Sequence, residues 1–291
     1  MLSICVPVYN YDARPLVQTL VRQAAALSEP IEVLVYEDGS HPEQQRVNQP
    51  LTELPAVRYR ALTENTGRAS IRNRMARDAQ YATLVMLDVD SDPNPNYLRN
   101  YLSRPAAATV VVGGTSYFEQ PPADPDLYLH WHYGRYREVL APARRRPRPY
   151  LHFQSNNFRV DRQFFLDHPF PEVHSYGHED TLWGQLLAPA GTHIEYIDNP
   201  VTHLGLDRTD VFLAKQRQAV ETLKDLRRSH PTLTTRLTIF ADRYPRLSQL
   251  TEALPEEWLL RYLHRTHSLR ALDMLKLKWW ITGWALAIGY S

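Results

Sequence analysis

Residues 84–93 read Leu-Val-Met-Leu-Asp-Val-Asp-Ser-Asp-Pro, a stretch that changes abruptly from apolar to acidic. Four apolar residues in a row predict a fully buried strand, and the carboxylates, serine and proline after them predict its end. Side chains two positions apart on an extended chain point to the same side, so Asp88 and Asp90 can converge on one cation. Mg²⁺ and Mn²⁺ favour sites in which substrate phosphate oxygens join a few carboxylates. The stretch therefore predicts a core strand that ends in a site for a hard divalent cation.

The same acidic tip has three other interpretations. Asp88 and Asp92 would cap a turn before a helix that starts near Pro95, and for Asp92 we prefer this interpretation because Asp-Pro commonly opens a turn. An EF-hand loop would need glycine and glutamate where the chain has Pro93 and Arg99. A phosphatase-type aspartyl nucleophile ranks low, since it is expected nearer the start of a domain.

The composition fits one large folded domain with an appendage, because the chain has 291 residues of which 43% are hydrophobic. A formal net charge of +1 gives no overall attraction to nucleic acid or to an anionic membrane. Cys5 is the one cysteine, which excludes an intramolecular disulfide and suits a reducing compartment. The first residues lack the pattern of a signal peptide and no apolar stretch has the length of a membrane span, so we expect a cytoplasmic protein.

Apolar stretches alternate with helical patterns in the first half of the chain. Strands are predicted at 2–8, 31–36, 57–62 and 84–87, with helices between them. The alternation predicts an α/β fold, in which helices flank a parallel sheet and ligands bind at the carboxyl ends of the strands. The polar residues after these strands are therefore expected to form one pocket: they are Asn10, Asp38, Ser40, Asn65, Arg68, Asp88 and Asp90.

The second half of the chain is less regular. A fifth strand is predicted at 107–114, and a tight turn at 175–178 leads into Glu179 and Asp180 at the start of a helix. The helix dipole alone favours acidic residues at a helix N-terminus, so this pair also has a purely structural interpretation. The basic run 144–148 has two open interpretations, a mobile flap that meets phosphate or a membrane surface, and an exposed solvated loop.

From Asp210 onward the pattern is helical and charged. The closing segment from Leu269 is amphipathic and mixes leucines and tryptophans with arginine and lysine. Such a helix either packs on its own domain or lies at a membrane interface. We expect packing for most of it and allow a peripheral contact with the inner face of a membrane.

Several short motifs become specific when they are taken together and in order. They resemble the motifs of family 2 glycosyltransferases of the GT-A fold, and the resemblance covers roughly residues 2–205. The motifs are SICVPVYN at 3–10, EDGS at 37–40, NTGRA at 65–69 with Arg72-Asn73, LDVD at 87–90, NNF at 156–158, FPE at 170–172 and YGHED at 176–180.

The resemblance implies a GT-A nucleotide-diphospho-sugar transferase fold, a Rossmann-like mixed sheet flanked by helices, with a C-terminal helical extension. The glycosyltransferase domain would comprise residues 1–206 and the extension 207–291. Within the domain, residues 1–114 would form the nucleotide-sugar-binding half and 115–206 the acceptor and catalytic half.

The resemblance also implies a set of donor-site residues. The end of the first strand would lie against the nucleotide base, Asp38 would bond the base, and Arg72 would support the helix or the pyrophosphate. Asp88 would touch the ribose or the metal, Asp90 would bind Mn²⁺ or Mg²⁺, and His203 would complete the metal shell. The remaining candidates for the nucleotide pocket are Pro7, Val8, Tyr9, Asn65, Gly67 and Arg68.

For catalysis, the resemblance makes Asp180 the general base and gives Glu179 a role in acceptor binding. The implied reaction is an inverting, metal-dependent transfer from a nucleotide-diphosphate sugar to a hydroxyl of a glycan or a lipid-linked saccharide. Uridine is expected in the donor rather than guanosine, and no nucleic acid partner is expected.

Two alternatives to this activity remain. A non-catalytic sugar-nucleotide-binding or scaffold protein could keep the fold, although it has no reason to keep Asp88, Asp90, Glu179 and Asp180 together. A sugar-1-phosphate nucleotidylyltransferase would want a Gly-rich basic loop after the first strand, and 7–12 contains neither glycine nor lysine. A Rossmann dehydrogenase is disfavoured because no Gly-x-Gly-x-x-Gly follows that strand.

Overall fold

The computed structural model describes residues 1–104, 109–173 and 175–288, with side chains described up to 282. Its contacts divide the chain into two compact units. The first unit comprises Met1–Phe118, Glu138–His174 and Trp183–Gly205, and the second comprises Glu119–Arg137, Ser175–Leu182 and Leu206–Ser291. The domain boundaries expected from the sequence, 1–206 and 207–291, stay a prediction.

The strands of the described residues all belong to the first unit. They are β1 (Leu2–Val8), β2 (Ile31–Glu37), β3 (Val57–Ala61), β4 (Thr83–Leu87), β5 (Ser91–Pro93), β6 (Val110–Val112), β7 (Thr115–Ser116), β8 (Asn157–Asp161), β9 (Ile194–Tyr196) and β10 (Val201–His203).

The α-helices follow in chain order. They are α1 (Arg14–Ala25), α2 (Pro42–Asn48), α3 (Arg68–Asp78), α4 (Tyr97–Leu102), α5 (Tyr128–Tyr133), α6 (Pro142–Arg145), α7 (Arg162–Asp167), α8 (Glu179–Leu186), α9 (Thr209–Ser229), α10 (Arg236–Arg243), α11 (Pro245–Gln249), α12 (Glu256–Thr266) and α13 (Leu269–Ile288).

Seven strands form one mixed sheet in the order β3-β2-β1-β4-β8-β6-β9. β1 pairs in parallel with β2 and β4, and β9 pairs in parallel with β6. β8 lies between β4 and β6 and is antiparallel to both, so β4 and β6 run in the same direction. The carboxyl ends of β1, β2, β4, β6 and β9 therefore share one edge of the sheet, and the α/β prediction is confirmed.

Both faces of this sheet are covered, which explains why its central strands are continuous apolar runs rather than alternating ones. In β1, Cys5 belongs to one core cluster with Met75 of α3, whereas Ile4 belongs to the other with Leu20 of α1. Each of these side chains is at most 1% exposed. Cys5 is thus a core residue.

A second, three-stranded sheet has the order β5-β10-β7. β10 pairs antiparallel with β5 and in parallel with β7. The turn at Asp92-Pro93 that the sequence predicted is therefore part of a short strand, and its partner β10 carries His203.

The second unit is helical. Leu272 and Leu275 of α13 are buried in one apolar cluster with Leu223 of α9 and Leu263 of α12. This is the packing expected for most of the C-terminal segment, and a membrane contact through it stays a prediction. Across the described residues we find no helix with the length and hydropathy that a bilayer crossing needs.

Two expectations of local structure need correction. The basic run 144–148 is neither a flap nor wholly a solvated loop, because α6 includes its first residues and Arg145 is only 2% exposed, with its guanidinium over the Tyr196 ring. The fifth strand is shorter than 107–114, since β6 comprises Val110–Val112 and 105–108 lie outside the described residues.

Candidate active site

Asp88 is held by a buried arginine. It follows β4 directly, and its backbone N–H donates to the Asn156 carbonyl at 2.9 Å. Nη2 of Arg72, on α3, lies 2.5 Å from Oδ1 of Asp88. The Arg72 side chain is 4% exposed and that of Asp88 is 35% exposed, so the buried cation orients a carboxylate that solvent and ligands can reach. Arg72 therefore positions Asp88 rather than only supporting its helix.

The small sheet brings Asp90 and His203 together. In its register His203 lies opposite Ser91, and the Leu204 N–H continues the pairing by donating to the Asp90 carbonyl at 2.8 Å. Nδ1 of His203 lies 3.5 Å from Oδ2 of Asp90. Two residues that the sequence predicted as metal ligands are thus neighbours.

Each member of this pair shifts the pKa of the other. Burial alone would raise the pKa of the Asp90 carboxyl, but the hydrogen bond and charge of His203, with the charge of Arg68, bring this pKa below its usual value. Burial alone would lower the pKa of His203, yet Asp90 first, then Glu138 and Asp88, raise it. These shifts favour an ionised Asp90 carboxylate and a protonated His203 imidazolium. A metal ion that binds the His203 ring nitrogen must therefore displace a proton from it.

The donor set of this pair suits a divalent ion that also takes substrate ligands. Among the described residues, no three His, Cys, Asp or Glu side chains form a group that could hold a metal by themselves. Asp90 and His203 offer one carboxylate and one imidazole, so a six-coordinate ion would take its other donors from water or substrate phosphate. Oδ1 of Asp88 is engaged by Arg72.

Tyr117 and Glu138 contact this site and were not predicted. The Tyr117 ring lies edge-on to the His203 ring, with 5.4 Å between the centroids. Its hydroxyl donates a short hydrogen bond to Glu138. Neither residue belongs to a short motif, so their contribution becomes visible only in the folded chain.

Asp38 shapes the loop that precedes α3. Its Oδ1 accepts hydrogen bonds from the N–H and hydroxyl of Thr66 at 2.8 and 2.7 Å, and its Oδ2 accepts one from the N–H of Gly67 at 2.9 Å. The side-chain amide of Asn65 donates to the Asp38 carbonyl at 3.0 Å. The predicted contact of Asp38 with a base must therefore use the carboxylate lone pairs that do not accept hydrogen bonds from this loop.

The end of β1 is tied to the end of β2. The Asp38 N–H donates to the Val8 carbonyl at 2.8 Å, and the Asn10 N–H donates to the Ser40 hydroxyl at 2.9 Å. Val8 is buried, Pro7 is half-buried and Tyr9 is 55% exposed. Of the three candidates for base contact, Tyr9 presents the most surface to a ligand, and Val8 has a structural role.

A cleft of about 200 Å³ opens beside the start of α3. Arg68 begins that helix, and its charge acts on Asp90. The cleft joins part of the NTGRA motif to part of the FPE motif, which are about a hundred positions apart. Its lining residues are Asn65, Thr66, Gly67, Ala69, Ser70, Glu172 and Val173.

Glu179 and Asp180 belong to the second unit, at the first turn of α8. Oδ1 of Asp180 accepts a hydrogen bond from the Thr181 N–H at 2.6 Å, which is the helix-terminal role expected on dipole grounds. Glu179 is 6% exposed, whereas Asp180 is half-buried. Of the two carboxylates, Asp180 is the one with more exposure to a substrate.

His178 precedes this pair in an unusual backbone conformation, with φ +66°. Burial, followed by the charge of Lys276, lowers the pKa of His178 to about 4. Its Nδ1 lies 3.3 Å from the Thr181 hydroxyl. His178 is therefore neutral near pH 7.

Gly205 is a further residue that the motifs did not reveal. A Cβ at this position would lie 2.2 Å from Oδ2 of Asp90. A side chain at 205 would require the Asp90 carboxylate to shift. Glycine at 205 thus leaves room for the position that this carboxylate takes beside His203.

We predict that Gly205→Ala displaces the Asp90 carboxylate. Overpacking of this kind costs about 1–3 kcal/mol of unfolding free energy. The affinity for Mn²⁺ in the presence of uridine diphosphate should fall about tenfold or more, which calorimetry measures. Leu204→Ala, at the exposed neighbouring position, is the control; equal Mn²⁺ affinity in both variants contradicts the prediction.

We predict that His178 makes the protein less stable in mild acid. Because its folded pKa of about 4 is below the usual value of about 6.5, its contribution is present above about pH 6.5 and is lost as pH falls toward 4. Between pH 7 and pH 5 the loss is about 2 kcal/mol. Asn tolerates positive φ, so urea unfolding of His178→Asn should show a pH dependence smaller by this amount, and unchanged dependence would refute it.

Comparison with known proteins identifies the family. The family model described as Glycosyl transferase family 2 matches residues 3–168. No curated protein matches the chain. Solved structures share the fold at low identity, and one of them is S. aureus TarS 1–349 in complex with UDP-GlcNAc, with 15% identity, TM-score 0.54, and coverage of 100% of this chain and 93% of that chain.

Two further structures are similar. The mannosyltransferase PcManGT from Pyrobaculum calidifontis, in complex with GDP-Man and Mn²⁺, has 20% identity and TM-score 0.53, over 99% of this chain and 81% of that one. Glucosyl-3-phosphoglycerate synthase from Mycobacterium tuberculosis, in complex with Mn²⁺, UDP and glucosyl-3-phosphoglycerate, has 18% identity and TM-score 0.52, over 77% and 78%. The fold is therefore the GT-A fold, and the chain belongs to glycosyl transferase family 2.

Proposed function

We propose that this glycosyltransferase moves a sugar from a uridine-diphosphate donor to a hydroxyl of a glycan or lipid-linked saccharide, with inversion at the anomeric carbon and with the help of a divalent cation. The observation that carries the proposal is the Asp90–His203 pair, 3.5 Å apart at the carboxyl end of β4. Asp88, oriented by Arg72, lies two residues before it. A carboxylate and an imidazole that face each other beside an oriented carboxylate suit the diphosphate of a nucleotide sugar with its cation.

We propose Mn²⁺ as the cation that Asp90 and His203 hold. Mg²⁺ prefers oxygen ligands in a strict octahedron, whereas His203 offers a nitrogen. When bound, the cation offsets the negative charge that develops on the departing diphosphate. Two of the similar structures contain Mn²⁺, which supports the same choice.

For the nucleotide, the proposed surface is the edge formed by the ends of β1 and β2 and the start of α3. Asp38 holds the 65–67 loop in place, and Tyr9 offers an exposed ring on which a base can lie. Arg68 adds positive charge near Asp90, where a diphosphate would lie. We therefore assign residues 1–114 to donor binding and 115–206 to acceptor binding and catalysis.

In the proposed reaction, the acceptor hydroxyl attacks the anomeric carbon from the face opposite the diphosphate. A bond forms between the acceptor oxygen and that carbon while the bond from the carbon to the diphosphate oxygen breaks. Asp180 takes the hydroxyl proton, and Glu179 binds the acceptor. The support for these two roles is the family motif and the partial exposure of Asp180.

We predict that the full chain binds uridine diphosphate with micromolar affinity in Mn²⁺ and not in chelator, measured by calorimetry. Asp90→Asn should lose about tenfold or more of the Mn²⁺-dependent affinity, because it removes the anionic ligand. Asp92→Asn is the matched control, since Asp92 is an exposed carboxylate two residues away. Equal affinity for Asp90→Asn and Asp92→Asn at saturating Mn²⁺ would refute the metal assignment.

We predict that Asp180→Asn retains the binding of uridine diphosphate and loses turnover by roughly a hundredfold to ten-thousandfold, the usual contribution of a positioned base. Release of uridine diphosphate from a panel of its sugars, with and without added saccharides, provides the assay.

Asp210→Asn is the control for this loss. Asp210 likewise lies in the first turn of a helix of the second unit and accepts a hydrogen bond from the next N–H, at 2.8 Å. The two variants therefore make the same helix-terminal change. Full turnover in Asp180→Asn would show that another group is the base.

A further inference from the structure

Arg145 is a buried cation without a counter-ion. It ends α6, is 2% exposed, and its Nε is completely buried without a hydrogen-bond partner. No hydrogen bond or ion pair joins its guanidinium to any other residue that the structure describes. The structure places this guanidinium over the Tyr196 ring, 5.6 Å from the guanidinium carbon to the ring centroid.

Two other buried arginines differ from Arg145. Arg72 is equally buried but pairs with Asp88. Arg159 is buried too, and it donates to the carbonyls of Tyr101 and Arg104 at 3.0 and 3.1 Å. Buried charges are normally paired or hydrogen-bonded in this way. Arg145 is the exception in this part of the described chain.

The surroundings of Arg145 do not compensate its charge. Burial lowers its pKa, and the groups that act in the opposite direction are the phenols of Tyr196 and Tyr101. Both hydroxyls donate elsewhere, Tyr196 to the Pro149 carbonyl at 2.6 Å and Tyr101 to the Asn157 side chain at 2.7 Å. A guanidinium stays protonated in proteins. An apolar residue would suit this position better if Arg145 had only a structural role.

No side chain from position 114 packs on this guanidinium. Gly114 lies beside it with φ +97°, and a Cβ at Gly114 would lie 3.1 and 3.3 Å from Nη2 and Nη1 of Arg145. A side chain at 114 would cover both terminal nitrogens together. Because glycine has none, no side chain from 114 covers the two nitrogens, and a planar oxyanion binds a guanidinium through just such a pair.

Arg145 also lies at the ligand-binding edge of the sheet. Gly113 and Gly114 follow β6, and Tyr196 ends β9. β6 runs in the same direction as β4, with β8 between them, so their carboxyl ends are two strand spacings apart, about 10 Å. The nucleotide-binding strands β1, β2 and β3 lie on the opposite side of β4. Arg145 is therefore placed on the acceptor side of the cation pair.

We propose that Arg145 binds an oxyanion of the acceptor, a phosphate or a carboxylate, through its two terminal nitrogens beside Gly114. The inference rests on the proposed function. In that function the nucleotide binds on one side of β4, and the acceptor binds on the other side, where Arg145 lies. The acceptor is accordingly an anionic saccharide, and its negative charge serves as the counter-ion of Arg145.

The test is thermal unfolding of the full chain with saturating uridine diphosphate and Mg²⁺, titrated with inorganic phosphate in one arm and acetate in the other. The wild-type midpoint should rise by about 3 °C at ten times the dissociation constant of the better anion. Arg145→Gln should show no such rise, and without anion its midpoint should equal or exceed that of the wild type, because a buried unpaired charge is removed. Arg144→Gln, an exposed neighbour on α6, should respond as the wild type does.

Arg145→Lys keeps the positive charge but lacks the planar guanidinium. This variant should fold, and its unfolding midpoint should rise less with the anion than that of the wild type. An anion response of Arg145→Gln equal to that of the wild type overturns the proposal. So does a wild-type response that uridine diphosphate abolishes, because the anion would then occupy the donor site. The midpoint rise that uridine diphosphate produces with the divalent cation, before any anion is added, tests the proposed function separately, since it does not involve Arg145.

Discussion

The antiparallel pairing of β5 with β10 is the constraint on which the proposed cation site depends. β5 begins one residue after Asp90, and its partner β10 ends at His203. The backbone hydrogen bond from Leu204 to Asp90 extends this pairing, so the two side chains meet across it. Gly205 then passes so close to the Asp90 carboxylate that a Cβ does not fit. A strand of three residues thus joins the acidic end of β4 to a distant part of the chain.

The charged side chains at this edge of the sheet differ in how they are paired. Asp88 is neutralised by Arg72 and Asp90 by His203, so neither carboxylate is buried without a partner. The Tyr117 ring contacts His203, and the charge of Glu138 raises the pKa of this histidine. Arg145, two strands along, has no such partner among the described residues. In the two proposals, a diphosphate and its cation bind beside β4, and a second anion binds beside β6.

Much of this arrangement could be predicted from local sequence. Strands β1, β2 and β4 are largely apolar and end in polar residues, and parallel topology brings those ends to one edge, so the placement of Asp38, Asp88 and Asp90 at that edge followed from pattern alone. The order of short motifs added the family and the fold. The partners of these residues could not be predicted, because Arg72 with Asp88 and Glu138 with Tyr117 are contacts of tertiary structure. The burial of Arg145 inside an arginine-rich run was hidden for the same reason: charge runs are usually solvated, and only the fold shows which member turns inward.

In the proposed site, Asp90 and His203 hold one cation against the diphosphate of the donor. A crystal structure of the full chain with uridine diphosphate and Mn²⁺, with anomalous scattering data at the manganese edge, tests it most directly. We expect one anomalous peak within ligand distance, about 2.0–2.3 Å, of an Asp90 carboxylate oxygen and a His203 nitrogen, with diphosphate oxygens completing the shell. A peak that contacts neither side chain, with the diphosphate still bound, would contradict the claim.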